Sequence, residues 1–162
     1  MSRPALIAWI CLCTLSALAP TQAGTVQVDF VQPDTYADAG RDARSREEVQ
    51  AGLTQHLRRL GEALPGSQAL SIEVLDIDLA GEIRPFSRVW PDTRVMRGRA
   101  DWPMIALRYT LRDGTRVMAT GEERIADLAY LTVQHAAGAG EALHFEKRML
   151  SKWFAERFGQ RP

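Results

Sequence analysis

Asp76 and Asp78 alternate in the run Asp76-Ile-Asp78-Leu-Ala-Gly81-Glu82, the densest acidic feature of the chain. In a strand, that spacing puts both carboxylates on one face. With Glu82 just past a glycine, they could gather oxygens around a hard cation such as calcium. Five arginines follow, Arg84, Arg88, Arg94, Arg97 and Arg99, together with Trp90 and Trp102. Arginine suits pairing with the preceding carboxylates because its rigid fork matches a carboxylate bidentately. The same arginines could instead grip an anionic ligand: phosphate, a lipid headgroup or a glycan carboxylate. Trp90 and Trp102 would then add flat apolar surface. The cation reading is the weakest of the three. The run looks like the start of an EF-hand loop but has Ala80 where a ligand belongs and Ser87 at the twelfth position. The candidate ligand- or partner-binding set is therefore Asp76, Asp78, Glu82, Arg84, Arg88, Trp90, Arg94, Arg97 and Trp102, with no metal and no cofactor implied.

Catalytic signatures are weak. His56, His135 and His144 are widely spaced, and Ser71, Ser87 and Ser151 lie in no nucleophile elbow. Two carboxylates alone do not make a glycosidase, because their separation across a cleft decides the chemistry. Gly138-Ala-Gly140 has no lysine at phosphate spacing. Lysines and arginines number 20 and so do aspartates and glutamates, so no basic excess points to nucleic acid.

The elements that must position these residues begin after a leader. Arg3 precedes an apolar run from Pro4 to Ala19, and Pro20-Thr-Gln-Ala23 follows. This is the layout of a secretory signal peptide, with cleavage expected after Ala23, and the apolar run is too short to span a bilayer. A lipid anchor fits less well, because Ile10 and Leu12 stand before Cys11 and Cys13 where small residues belong. Cleavage removes both cysteines, so the mature domain, Gly24–Pro162, has neither disulfide nor thiol chemistry. Its length fits one domain that can bury a core of its own.

Along that domain, Thr25–Val31 alternates as a half-buried strand. Val49, Leu53, Leu57, Leu60 and Leu64 share a helical face, with Ser45 and Glu48 as an expected capping box. His56 falls near the solvated side. Ala69–Leu79 alternates until the parity slips near Val74-Leu75, which predicts a bulge or a strand covered on both faces. Gly81–Asp101 has no clear period. A connection of that length implies a functional loop or a short element hidden near Thr93–Met96. Met104–Arg112 and Thr115–Ile125, joined by Asp113-Gly114, predict a hairpin. Ile105, Leu107, Tyr109 and Leu111 face the core; Val117, Ala119, Gly121 and Ile125 share a parity on the partner. Arg108 and its neighbours can pair with glutamates across the strands. Asp127–His135 is open between a short helix and an irregular stretch. A final helix, about Glu141–Phe158, carries Phe145, Met149, Trp153, Phe154 and Phe158 as a core stripe. The fold class is α+β: a single layer of about four mostly antiparallel strands packed against two helices.

Several phrases together resemble the secreted proteobacterial proteins grouped as the DUF3016 family. They are Val28-Asp-Phe30-Val-Gln-Pro33, Glu73-Val-Leu-Asp-Ile-Asp78-Leu-Ala-Gly81, Arg94-Val-Met-Arg97, Asp101-Trp-Pro103, Leu107-Arg-Tyr-Thr-Leu111, Gly121-Glu-Glu123 and Glu146-Lys-Arg-Met-Leu-Ser-Lys-Trp-Phe154. The resemblance runs over nearly all of the mature chain. The Ala- and Gly-rich stretch Asp127–Gly140 departs from it. It implies a periplasmic accessory protein rather than an enzyme, and gives no catalytic residue to carry over.

The expectation is thus a periplasmic or envelope-associated, non-enzymatic binding or accessory domain. Its partner would be an envelope protein or an anionic ligand, and its working surface the 81–102 connection. The rivals are a periplasmic hydrolase built on one of these carboxylates and a structural, oligomer-forming domain with an exposed sheet edge.

Overall fold

In the computed structural model, residues 23–83, 94–98, 100–132 and 141–159 are described. A strand, β1 (Thr25–Phe30), leads through a short 3-10 turn at Pro33–Thr35 to helix α1 (Ala43–Gly61). Then come β2 (Gln68–Asp78), the two-residue strands β3 (Glu82–Ile83) and β4 (Arg94–Val95), the hairpin β5 (Met104–Asp113) and β6 (Arg116–Ala126), and helix α2 (His144–Phe158). The main sheet has the order β1-β2-β5-β6, and β3 pairs with β4 apart from it. β1 runs parallel to β2, whereas the β2–β5 and β5–β6 pairs are antiparallel. Parallel neighbours need a crossover, and α1 supplies it.

Both helices pack on one face. Val49, Leu53 and Leu57 from α1 and Met149, Leu150, Trp153 and Phe154 from α2 meet one buried cluster. Its sheet side is Leu70, Ile72, Val74 and Ile77 of β2 and Ile105, Leu107, Tyr109 and Leu111 of β5. Met149, Trp153, Phe154 and Phe158 of the α2 stripe meet the core, as their spacing predicts, whereas Phe145 stands outside it, edge-on to Tyr130 at 4.9 Å. Trp153 meets Tyr109 and Phe158 edge-on at centroid distances of 5.8 and 5.4 Å, a geometry the ring quadrupoles favour. The opposite sheet face is polar. There Arg108 joins Glu73 on β2 and Glu122 on β6, each at 2.9 Å. The Arg108–Glu122 pair is the kind expected across the hairpin, and Glu73 extends it to a third strand.

The parity slip in β2 is a bulge between Val74 and Asp76. It turns Ile72 and Val74, then Ile77 and Leu79, toward the core. Val74's carbonyl accepts from Val31 N (2.9 Å) and the Tyr36 hydroxyl (2.8 Å). Burial pushes the Tyr36 phenol up to about 12. The short element expected near Thr93–Met96 is β4.

Two expectations need correction. Ser45 is not the N-cap. Asp42 caps α1 through Ser45 N (2.7 Å), and Ser45 Oγ accepts from Asp42 N (3.0 Å). The box is shifted one turn because Asp42 also satisfies the cap pattern, and Glu48 pairs with Arg44 instead. Val117 does not share the inward parity of Ala119. A second irregularity, at Leu111/Arg112, pairs Arg112 with Val117 and leaves Val117 and Met118 exposed. Of the ambiguous stretch after Ala126, the described part, 127–132, forms turns rather than a helix, and 133–140 lies outside the described residues.

The hairpin turn is Gly114-Thr115 between paired Asp113 and Arg116. Gly114 has φ 56°, and a glycine at the first central position suits a type II′ turn. Gly121 is needed for space rather than for its dihedral. A Cβ there would stand 2.9 Å from the Tyr109 ring. Gly121→Ala is expected to lose about 1–3 kcal/mol by overpacking, read as a lower midpoint in urea unfolding with unchanged slope. Gly114→Asn meets no neighbour but must adopt the left-handed φ, and is expected to lose about 1 kcal/mol by backbone strain.

Candidate functional site

The 81–102 connection is fastened at one end of the sheet, by interactions that reach far along the sequence. After the 3-10 turn the chain runs beside the end of β2. Asp38 N donates to Ile77 O and Leu79 N to Asp38 O, at 2.9 and 3.0 Å. That register sets Asp38 next to Asp78. Arg94, on β4, then reaches back. Its Nη2 bonds both Asp38 carboxylate oxygens at 2.8 Å, and its Nη1 donates to the carbonyls of Gly81 (2.9 Å), Ala80 (3.3 Å) and Leu79 (3.5 Å). The planar guanidinium can do this because its donors diverge from one rigid plane. The Arg94 side chain is 19% exposed, so the pair is partly desolvated and poorly screened by salt.

Two more carboxylates complete the fastening. Glu146, in the first turn of α2, is 3% exposed and accepts from Ala80 N at 2.8 Å. Asp101 accepts from Arg97 N (2.5 Å), Gly98 N (2.8 Å) and the hydroxyl of buried Tyr130 (2.9 Å), while its carbonyl accepts from Gly81 N (2.9 Å). Burial pushes the Asp101 carboxyl up, but those donors outweigh it and hold it below the usual range. Arg148 secures Tyr130 from behind, bonding Asp127 at 2.6 Å and the Tyr130 carbonyl at 2.9 Å.

The expected site residues therefore divide. Arg94 points inward as a clamp. Arg97 pairs with Glu82 at 3.3 Å, both well exposed, so this pair follows the expected pairing of loop arginines with nearby carboxylates. Trp102 is half-buried. Asp76 is not paired with any described residue of the loop. It accepts from Ala37 N and Ile77 N, both at 2.9 Å, and has Arg124 of β6 at 3.9 Å. Asp78 has no hydrogen-bond donor among the described residues, and its carboxyl is pushed up by burial and then by the Asp38 and Asp76 charges. Arg84, Arg88 and Trp90 lie outside the described residues, as does Arg99. Among the described residues no group of three histidine, cysteine, aspartate or glutamate side chains could hold a metal ion.

Sequence reasoning missed Asp38, Asp101 and Glu146. Only Glu146 had a local signal: it sits three, four and seven residues before Met149, Leu150 and Trp153, a carboxylate on the buried stripe. It also missed that His56 and Ser151 meet, with His56 Nε2 at 2.9 Å from Ser151 Oγ. This is not an activated hydroxyl. Ser151 gives its single proton to Lys147 O at 2.9 Å, so the imidazole is the donor and the pair fastens α1 to α2. Burial, and then the Lys147 and Arg59 charges, hold the His56 pKa below its usual value against the pull of the Lys147 carbonyl and Glu141.

The exposed surface at this end is apolar as well as charged. Met96, Leu128 and Leu131 are among the few large hydrophobic side chains left in solvent. Met96 lies over Gly81 and Leu131 over Gly98, where added Cβ atoms would meet them at 2.6 and 2.9 Å.

Comparison with known proteins gives one match. The DUF3016 family, described as a protein of unknown function, matches residues 24–156. No curated protein and no solved structure matches.

Arg94→Ala is expected to lose about 2–4 kcal/mol, because it strands Asp38 and three carbonyls. Arg94→Lys recovers little of this, since an ammonium cannot span both sets of acceptors. Arg97→Ala stays within about 0.5 kcal/mol. Chemical denaturation of the three variants reads the difference. For His56, a folded pKa below the unfolded value of 6.5 means the unfolded state binds the proton more tightly. Its contribution is complete above that value and is lost as pH falls through the folded pKa. The slope of stability against pH in this window should flatten in His56→Gln.

Proposed function

We propose that this chain, which belongs to the DUF3016 family, is a non-enzymatic binding or accessory domain of the periplasm or cell envelope. Its platform for a partner protein is the fastened end of the sheet. One observation carries this reading: Met96 and Leu131 stand exposed over Gly81 and Gly98, next to Arg97, on backbone held by Arg94, Asp101 and Glu146 on one side and by Arg148 on the other. Apolar side chains displayed on a rigid, hydrogen-bonded support cost little ordering entropy when a partner covers them. A charged rim at Arg97 and Glu82 adds orientation more than affinity.

Several features support the address. The family match begins at Gly24, directly after the expected cleavage position. Gly24 N already donates to Leu64 O at 2.9 Å, a bond a new terminal amine can keep. Among the described residues no helix is long and apolar enough to cross a membrane. The catalytic rival loses support from Asp76, whose Oδ1 accepts two backbone N–H groups while its Oδ2 faces Arg124, and from Ser151, which donates to Lys147 O.

Expression with a photo-crosslinking residue at Met96 tests both parts. Mass spectrometry of the envelope fraction should find Gly24 as the N-terminal residue, and a defined protein adduct from Met96. The same residue at Thr115, at the opposite end of the sheet, should give none. An uncleaved leader refutes the location. Equal adducts from both positions, or none from Met96, refute the platform.

A further inference from the structure

β6 ends the sheet, and among the described residues no strand pairs with its outer side. From Ala119 to Ala126 its register with β5 is unbroken and contains no proline. Of the devices that make an edge unfit for pairing, this stretch has neither a bulge nor a proline, and carries charges at Glu122, Glu123 and Arg124. Alongside this stretch a groove of about 480 Å³ separates β6 from α2. Its apolar lining residues are Ile125, Ala126 and Ala129 with the nearly buried Met149 and Trp153. A strand beside a helix-lined groove has the geometry for an added strand. The edge offers main-chain hydrogen bonds, and alternate side chains of the newcomer enter the groove.

The charges select the newcomer. The groove is lined by three carboxylates, of which Glu156 is 63% exposed with Lys152 at 4.0 Å, and two are held by neighbours: Glu123 by Arg157 and the Trp153 indole, at 2.9 and 3.1 Å, and Asp127 by Arg148 at 2.6 Å. Both are shielded, with side-chain exposures of 22% and 26%. The cations at the rim are not. Arg124 and Lys152 are 71% and 79% exposed, and their nearest carboxylates, Asp76 and Glu156, stand 3.9 and 4.0 Å away. What an approaching chain meets is a lining of four cations, Arg124, Arg148, Lys152 and Arg157, against three carboxylates, Glu123, Asp127 and Glu156.

We propose that the β6–α2 groove binds an extended acidic segment of a partner polypeptide as a fifth strand. Its apolar side chains contact Ile125, Met149 and Trp153, and its carboxylates meet Arg124 and Lys152. This surface adjoins the Met96 platform at residues 126–129 but includes none of Met96, Arg97 and Leu131, so either can fail alone.

A random peptide library displayed on phage and selected against Gly24–Pro162 tests it. The enriched peptides should alternate β-branched or apolar residues with Asp or Glu. Synthesised and titrated into labelled protein, they should shift the amides of 119–126 and the Trp153 indole. Methylating alternate backbone nitrogens of the peptide should abolish binding in one parity and spare it in the other, a readout that needs no change to the protein. Arg124→Glu with Lys152→Glu should weaken acidic peptides about tenfold and favour their lysine counterparts. No enrichment, enrichment of basic peptides, shifts confined to 94–101, or indifference to methylation parity each overturn the proposal. So does concentration-dependent broadening of the β6 amides without peptide, which would make a second copy the occupant.

Discussion

The guanidinium of Arg94 is the contact on which one whole end of this molecule depends. A two-helix, one-sheet domain buries its core on a single face, and past the end of β2 that core reaches as far as Ala39 and Leu79. At the end of β2 the carbonyls of Leu79, Ala80 and Gly81 turn toward a segment that belongs to no large sheet. Arg94 takes all three and Asp38 together. Glu146 takes the Ala80 amide, and Asp101 takes those of Arg97 and Gly98. Polar backbone at the edge of the core is satisfied by side chains because no ladder is there to satisfy it.

That arrangement separates stability from display. The inward arginine and the three committed carboxylates hold the backbone. The outward Arg97, Glu82, Met96 and Leu131 are left for contact with something else. The polar sheet face repeats the division, with Arg108 saturated between Glu73 and Glu122. Asp78 is the exception: a half-buried carboxylate near two others, without a hydrogen-bond donor among the described residues. Unlike its neighbours, it adds nothing to the fastening.

What the sequence made legible was local. The hairpin, the α1 face, the α2 stripe and the β2 bulge each show as a period of two or near 3.6, or as a break in one. The box at the start of α1 was legible in kind but shifted, since Asp42 and Ser45 both fit a cap. The site was legible only as a composition: acids, then arginines and tryptophans in an unpatterned run. Which acid meets which arginine is set by sheet order. The register of residues 36–40 against the end of β2 brings Asp38 rather than Asp76 to Arg94, across 56 residues. His56 and Ser151 meet across 95 because two helices cover the same face. No local pattern carries such pairings. Glu146 is the instructive case, because its place on an apolar stripe was visible and marked a carboxylate that must find a donor inside.

The central claim is that the 81–102 connection is fastened where its ends are described, and is not a free loop. Native-state hydrogen exchange measures this directly. The amides of Ala80, Gly81 and Gly98 should exchange with opening free energies close to those of the β2 and β5 ladders. Exchange of these amides near the rate of unprotected peptide, while the ladders stay protected, would contradict it.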